Sequence, residues 1–289
     1  MRGIILAGGS GTRLFPLTRS ISKQLLPVYD KPMIYYSLTT LIMIGVTDVL
    51  VVVDPKYYAQ FSDLLGDGSD LGIKIEFVKQ VKPNGIAEAF LIGENFISGE
   101  EVSVILGDNV FHGAGLGRSL NSNIAVRGAK IFAKRVSNPQ DYGVVEFDPA
   151  GKVISIEEKP RAPKSRFAVP GLYFYDNQVV DIAKNLLPSA RGELEISDVN
   201  NAYLEMGELH VEVMPRGASW IDAGNFEALA DATDYVRAIE RREGLKIGCP
   251  EEVAWRMGLI TDDQLASLAE RLIKSGYGRY LLEALEQGK

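Results

Sequence analysis

Over its first 110 residues the chain alternates two periodicities, and that alternation narrows the fold more than any other feature. Short β-branched apolar runs at 3–7, 49–54, 73–78 and 102–108 read as strands. Between them, 32–44, 57–65 and 86–97 carry apolar residues at helical spacing. Near-continuous apolar strands have no polar face to offer water, so both faces of their sheet must be covered. Strand–helix–strand alternation supplies that cover and makes the sheet parallel. Pro32 suits the first position of its helix and Gly45 its C-terminal end.

Beyond residue 125 the rhythm changes. Strands at 130–136, 143–147, 153–158, 169–175 and 209–215 are separated by turn clusters such as Asp148-Pro149-Ala150-Gly151. That pattern predicts mixed sheet and hairpins, with one helix over 197–206 closed by Gly207. From Asn225 onward, helices are expected at 226–242, 251–257, 262–275 and 277–285. The chain carries no low-complexity linker and no internal repeat. The expected architecture is α/β: a mostly parallel mixed sheet covered by helices, with a helical C-terminal appendage. Residues 1–243 would form the core, with halves 1–125 and 126–224, and 244–289 a helical segment packed on it or on another subunit.

Composition removes several classes. A chain of 289 residues that is 46% hydrophobic can build one large packed domain or two small ones. With Lys+Arg 31 against Asp+Glu 38, its net charge of −7 argues against a nonspecific nucleic-acid binder. One cysteine excludes an internal disulfide and, with two histidines, leaves little for a zinc cluster. No apolar run approaches the roughly 18 residues of a membrane helix. The opening Met1-Arg2-Gly3-Ile4-Ile5-Leu6-Ala7-Gly8 reaches glycine too soon for a secretory leader, so a cytoplasmic protein is expected.

The chemistry gathers first in Leu6-Ala7-Gly8-Gly9-Ser10-Gly11-Thr12-Arg13-Leu14, followed by Lys23-Gln24-Leu25-Leu26-Pro27. Glycines at a strand end, here Gly8, Gly9 and Gly11 before Thr12, let backbone approach phosphate oxygens because no Cβ intervenes. Arg13 and Lys23 supply fixed positive charge; the same residues also read as a glycine-rich turn with two solvated bases. Gly9 and Gly11 are followed by Leu14 where a dinucleotide fingerprint needs glycine, and Gly11-Thr12-Arg13 does not close a P-loop.

These residues, with the rest of 1–27, resemble the signature of the sugar-1-phosphate nucleotidylyltransferases. The resemblance extends through Gly107-Asp108-Asn109, Asp141-Tyr142-Gly143-Val144-Val145-Glu146, Glu157-Glu158-Lys159-Pro160 and Gly171-Leu172-Tyr173-Phe174-Tyr175, essentially end to end. It implies a Rossmann-like nucleotide-diphospho-sugar transferase fold, with 1–125 as nucleotide-binding half and 126–224 as sugar-binding half.

Asp108 ends the run Val102-Ser103-Val104-Ile105-Leu106-Gly107. Ligands of open α/β sheets sit beyond the carboxyl ends of strands. A carboxylate there can hold Mg²⁺, or simply cap a turn. Asp222, in Trp220-Ile221-Asp222-Ala223-Gly224, reads by itself as the N-cap of the helix from Asn225. The resemblance makes Asp108 and Asp222 the Mg²⁺ ligands, and two carboxylates completed by substrate oxygens and water are usual for this ion. Glu158-Lys159-Pro160 reads as a solvated face. The resemblance instead carries sugar binding onto Asn109, Gly143, Glu158 and the Val169 backbone, with Lys159 on the sugar phosphate. Tyr142 and Tyr173 would flank the hexose or belong to the core. Gln80, Gly85 and Gln24 are assigned to the nucleotide, with Pro83 in the same turn. A glutamine can donate to one base carbonyl and accept from the adjacent imino N–H of thymine or uracil. The family often has Gln where this chain has Glu88.

The implied reaction joins dTTP and α-D-glucose 1-phosphate into dTDP-glucose and pyrophosphate, towards dTDP-rhamnose and related deoxysugars. The attacking oxygen belongs to an anion, so no general base is required. Arg13, Lys23, Lys159 and Asp108 would then do the catalytic work by positioning and electrostatics. His112 and His210 have no assigned role. The rival readings are the same chemistry with UTP or another hexose phosphate, a non-catalytic nucleotide-sugar sensor, and a nicotinamide oxidoreductase that lacks its fingerprint. The resemblance further implies a homotetramer with a regulatory nucleotide-sugar site between subunits, for which Arg216, Cys249 and Glu252 are candidates.

Overall fold

The computed structural model describes residues 1–121 and 127–288. Strand β1 (Arg2–Ala7) leads through three single 3-10 turns, Thr12–Leu14, Leu17–Arg19 and Lys23–Leu25, to a small hairpin of β2 (Pro27–Val28) and β3 (Lys31–Pro32). Then come α1 (Ile34–Met43), β4 (Asp48–Val53), α2 (Tyr58–Leu65) and β5 (Lys74–Lys79). Helices α3 (Glu88–Ile92) and α4 (Glu94–Ile97) precede β6 (Val102–Leu106), β7 (Asn109–His112) and α5 (Leu116–Asn121). The second half holds β8 (Ala129–Arg135), β9 (Gly143–Phe147), β10 (Val153–Glu158), β11 (Phe167–Ala168) and β12 (Leu172–Tyr175). It continues with α6 (Val179–Asn185), α7 (Ile196–Glu205), β13 (Leu209–Val213) and β14 (Ser219–Asp222). The chain ends in α8 (Phe226–Glu243), α9 (Pro250–Arg256), α10 (Asp262–Arg271) and α11 (Gly276–Gln287).

Ten strands form one mixed sheet in the order β10-β9-β11-β8-β12-β6-β1-β4-β5, with β13 paired parallel to β8. The four strands β6, β1, β4 and β5 are mutually parallel. Alternation along β1 sends Ile5 and Ala7 to one face, with α1 and the buried Trp255, Leu265 and Leu281 of the C-terminal helices. Ile4 and Leu6 go to the other face, with Phe90, Val179 and Tyr203. Both faces are therefore covered, as continuous apolar strands require. Sequence order reverses at β1, whose two parallel neighbours are β4 and β6. That switch point is where α/β sheets open a crevice beyond the strand ends.

Several elements depart from the sequence expectation. Pro32 belongs to the β2–β3 hairpin, and α1 starts two residues later. The expected helix over 86–97 breaks at Gly93, where an added Cβ would lie 3.2 Å from Leu50 and 3.3 Å from Ile4, so the glycine lets helix backbone press onto the sheet. The expected strand over 169–175 breaks at Pro170-Gly171, because proline has no N–H and the Gly171 N–H is drawn to the Asn109 side chain, 3.0 Å away. The antiparallel ribbon β7–β14 was not expected at all.

Candidate active site

The register of β1 and β6 starts the site. Leu6 pairs with Leu106, and the glycines Gly8 and Gly107 then lead the two chains out of the sheet. Gly107 N–H bonds to Leu6 O at 2.9 Å, and a Cβ on Gly107 would come within 2.8 Å of that oxygen. Only glycine allows the two strand ends to run this close. The Ser37 hydroxyl of α1, fully buried, donates to Leu106 O at 2.9 Å from beneath. Gly11, at φ +59, turns the glycine-rich loop into its 3-10 turn, where Thr18 Oγ1 donates to Gly11 O at 2.7 Å.

The β7–β14 ribbon then pairs Asn109 with Asp222, which sets Asp222 beside Asp108 across the crevice. Ala223 N–H donates to Asp108 O at 2.9 Å and fixes the approach. Lys23 Nζ donates to Asp108 Oδ2 and forms a buried ion pair. The Asn109 amide donates to Asp108 Oδ1 at 3.0 Å, while its own oxygen accepts from the Trp220 indole at 2.6 Å and Gly171 N–H at 3.0 Å. Asn109 is thereby a hub that locks Asp108, with its carbonyl oxygen already engaged.

The two carboxylates sit in different electrical surroundings. Burial alone would raise the Asp108 carboxyl, yet the Lys23 ammonium and the Asn109 amide hold it below its ordinary value. Burial, then the neighbouring Asp108 charge, pushes Asp222 up to about 7, against the pull of Lys23 and Arg13. Asp222 Oδ1 is buried and has no hydrogen-bond partner among the described residues. An orphaned carboxylate oxygen beside a second carboxylate is what a hard divalent cation satisfies. Asn225, not Asp222, caps α8 by accepting from Ala228 N–H at 3.0 Å, so Asp222 is spared the N-cap role its position suggested.

These groups open onto a cavity of about 310 Å³. Its wall includes Gly8, Gly9, Arg13, Lys23, Gln24, Gln80, Pro83 and Gly85 from the nucleotide set, both Asp108 and Asp222, and all of Asn109, Tyr142, Gly143, Glu158, Lys159, Val169 and Tyr173. Gly11 and Thr12 shape the loop but do not line the cavity. Tyr142 meets Trp220 edge-on at 5.0 Å and is half-open, whereas Tyr173 is packed at 3% exposure against Tyr175. Glu158 accepts from Ser197 Oγ at 2.6 Å, with Lys159 and Arg191 each 3.7 Å away. Lys159 itself takes φ +44, a left-handed conformation rare outside glycine.

Three contributors were not foreseen. Trp220 positions Asn109, Ser197 holds Glu158, and Leu194 closes the turn at Gly85 through bonds to Asn84 O at 2.7 Å and from Ala87 N–H at 3.1 Å. An added Cβ at Gly85 would lie 2.3 Å from Leu194 O, so this glycine is required by a crossing backbone. Gly224 is a fourth: its Cβ would meet Asp222 Oδ1 at 2.9 Å, Arg13 Nη2 at 3.0 Å and Asp108 Oδ2 at 3.5 Å. No spacing rule reveals a glycine of this kind, because its neighbours Arg13, Asp108 and Asp222 come from three separate segments.

The regulatory candidates do not form one cluster. Cys249 and Glu252 are 1% and 7% exposed at the start of α9, where Tyr280 donates to Glu252, and Tyr277 reaches Cys249 at 3.1 Å. Burial raises the Cys249 thiol well above its ordinary value. Arg216 lies in the exposed loop between β13 and β14, and no hydrogen bond or ion pair joins it to either among the described residues.

Parallel strands thus end at the switch point in a glycine loop, a lysine-bound aspartate and a second carboxylate. The chain belongs to the nucleotidyl transferase family, which matches residues 2–238. It is 59% identical over 287 residues to a glucose-1-phosphate thymidylyltransferase of Mycolicibacterium smegmatis, covering 99% of this chain and 100% of the relative. It is 52% identical over 288 residues to the enzyme of the same name from Neisseria meningitidis, at 99% and 100% coverage. Among solved structures it resembles a provisionally assigned glucose-1-phosphate thymidylyltransferase from Bacillus anthracis in complex with a sucrose, at TM-score 0.76 and 40% identity, over 82% of this chain and 95% of that one. A UDP-glucose pyrophosphorylase complexed with UDP-glucose shares the fold, at TM-score 0.72 and 21% identity, over 82% of this chain and 98% of that one.

Proposed function

We propose that the protein transfers a thymidylyl group from dTTP to α-D-glucose 1-phosphate, releasing dTDP-glucose and pyrophosphate. The names of its relatives support this reading, and so does one observation in the cleft. Arg13, Asp108 and Asp222 gather around Gly224, Lys23 is paired to Asp108, and the same cavity presents Glu158 and Lys159 from the end of β10. On this reading a triphosphate site and a sugar-phosphate site share one wall.

The sugar phosphate arrives ionised, so its oxygen needs no proton removed before it attacks the α-phosphorus. The barrier is repulsion between anions and charge accumulating on the leaving pyrophosphate. Arg13 and Lys23 hold the triphosphate, and the glycine loop brings backbone N–H groups to it. Lys159 takes the attacking phosphate, while Glu158, held by Ser197, accepts from sugar hydroxyls. Asp108 and Asp222 would hold Mg²⁺, which when bound offsets triphosphate charge. Lys23 keeps Asp108 ionised for that purpose.

No helix among the described residues is long and apolar enough to cross a membrane. We assign the enzyme to the cytoplasm, with its product passing towards dTDP-rhamnose and related deoxysugars. Self-association as a homotetramer belongs to the same reading; a monomeric mass by light scattering at micromolar concentration would remove that part. The core reading is tested by pyrophosphate release from dTTP with glucose 1-phosphate, with UTP in a parallel arm. Tight dTDP-glucose binding without any release would instead mark a sensor.

A further inference from the structure

Glu88 does not line the cleft, yet it holds a residue that does. Gln80 Nε2 donates to Glu88 Oε2 at 2.7 Å, and Asn84 Nδ2 donates to Glu88 Oε1 at 2.7 Å. One carboxylate so bridges the residue that follows β5 and the turn residue that precedes Gly85. A carboxylate accepts hydrogen bonds and cannot donate them. Gln80 must therefore turn its NH2 group towards Glu88. Its Oε1 is left facing the glycine loop, 2.6 Å from where a Gly8 Cβ would sit. A glutamine at position 88 could donate or accept, and either orientation of the Gln80 amide would then be satisfied.

We infer that Glu88 is a positioning residue that fixes the Gln80 carbonyl oxygen towards the nucleotide and thereby selects a pyrimidine whose ring nitrogen carries a hydrogen. Thymine and uracil meet that condition; cytosine presents an acceptor there and places two lone pairs face to face. The second Gln80 N–H stays available for a base carbonyl. The inference rests on the thymidylyl-transfer reading and adds to it a reason for base choice. It also gives the Glu88 departure from the family pattern a purpose in this chain.

The test compares kcat/KM for dTTP and dCTP, with glucose 1-phosphate as acceptor, in the wild type, Glu88→Gln and Glu88→Ala. The ratio of dTTP to dCTP efficiency should fall about tenfold or more in both variants, the factor carried by one hydrogen bond at the strong end of the ordinary range. The loss should appear in KM for dTTP, with KM for glucose 1-phosphate within about twofold of the wild type. An unchanged ratio in either folded variant overturns the inference, as does an equal loss with both nucleotides. A measurement on the unmodified protein stands independently: dTTP methylated at the ring N–H should be a far poorer substrate, and equal use of it also overturns the inference. A wild type inert towards dTTP, by contrast, sinks the thymidylyl reading itself.

Discussion

A methyl group added at Gly224 should separate catalysis from stability. The Gly224 backbone lies outside the left-handed region, so alanine can adopt it without backbone strain. Its Cβ would stand 2.9 Å from Asp222 Oδ1 and 3.0 Å from Arg13 Nη2, where ordinary contact begins at 3.4 Å. Both side-chain tips must then retreat by about half an ångström, the tolerance within which a catalytic constellation has to be held. Side-chain ends yield more cheaply than backbone, so Gly224→Ala should cost no more than about 1–2 kcal/mol of stability. Displacing the carboxylate proposed to hold the metal together with the guanidinium proposed to hold the triphosphate should lower kcat about a hundredfold. Continuous pyrophosphate release measures the loss in kcat and denaturant unfolding the cost in stability. A Gly224→Ala enzyme with near-wild-type kcat would refute the convergence of these two side chains on the reacting phosphates.

Other outcomes follow from the same geometry. Lys23→Ala and Asp108→Asn should each lose about a hundredfold or more in turnover, the scale of one lost electrostatic group, while far-ultraviolet circular dichroism stays that of the folded chain. Lys159→Ala should raise KM for glucose 1-phosphate about tenfold or more, as loss of a charge-assisted bond does, with dTTP affinity kept; the reverse pattern in steady-state kinetics would exchange the two phosphate assignments. Asp30 bridges Lys31 Nζ at 2.6 Å and Lys246, and although burial alone would raise its carboxyl, these two lysines hold it below its ordinary value. A depressed folded value contributes stability above the unfolded value, near pH 4, and loses it as pH falls through the folded one. Asp30→Asn should therefore be less stable by about 1–3 kcal/mol at pH 7, and denaturant unfolding should show that deficit shrinking below about pH 4.

What the sequence made legible was set by periodicity and by short motifs. Strands β1, β4 and β6 declare themselves because both of their faces are apolar, which also fixes their place inside the sheet, whereas β5 at the edge alternates exposed Lys74 and Glu76 with buried Ile75. The ribbon β7–β14 is invisible because each strand has four residues, too few to establish an alternation. Yet that ribbon is what brings Asp222 to Asp108 across a sequence gap of more than a hundred residues. Site residues next to recognisable glycines, such as Lys23 and Asp108, could be reasoned out. Residues that act through other site residues, Trp220 on Asn109 and Ser197 on Glu158, could not, since their partners lie on other elements; Glu88 stood out as a departure from the family pattern, but its bond to Gln80 did not. The helix break at Gly93 has the same origin, a contact with Ile4 and Leu50 that only tertiary packing creates.

The central claim is that one cleft brings a thymidine triphosphate and a hexose 1-phosphate together for phosphoryl attack. It is tested most directly by a matrix of nucleoside triphosphates against sugar 1-phosphates, read by pyrophosphate release in the presence of Mg²⁺. The account predicts the largest kcat/KM for dTTP with glucose 1-phosphate, no release when either substrate is omitted, and loss of release in Asp222→Asn. Binding of dTDP-glucose with no release from any pair, or release that persists in full without the sugar phosphate, would contradict it.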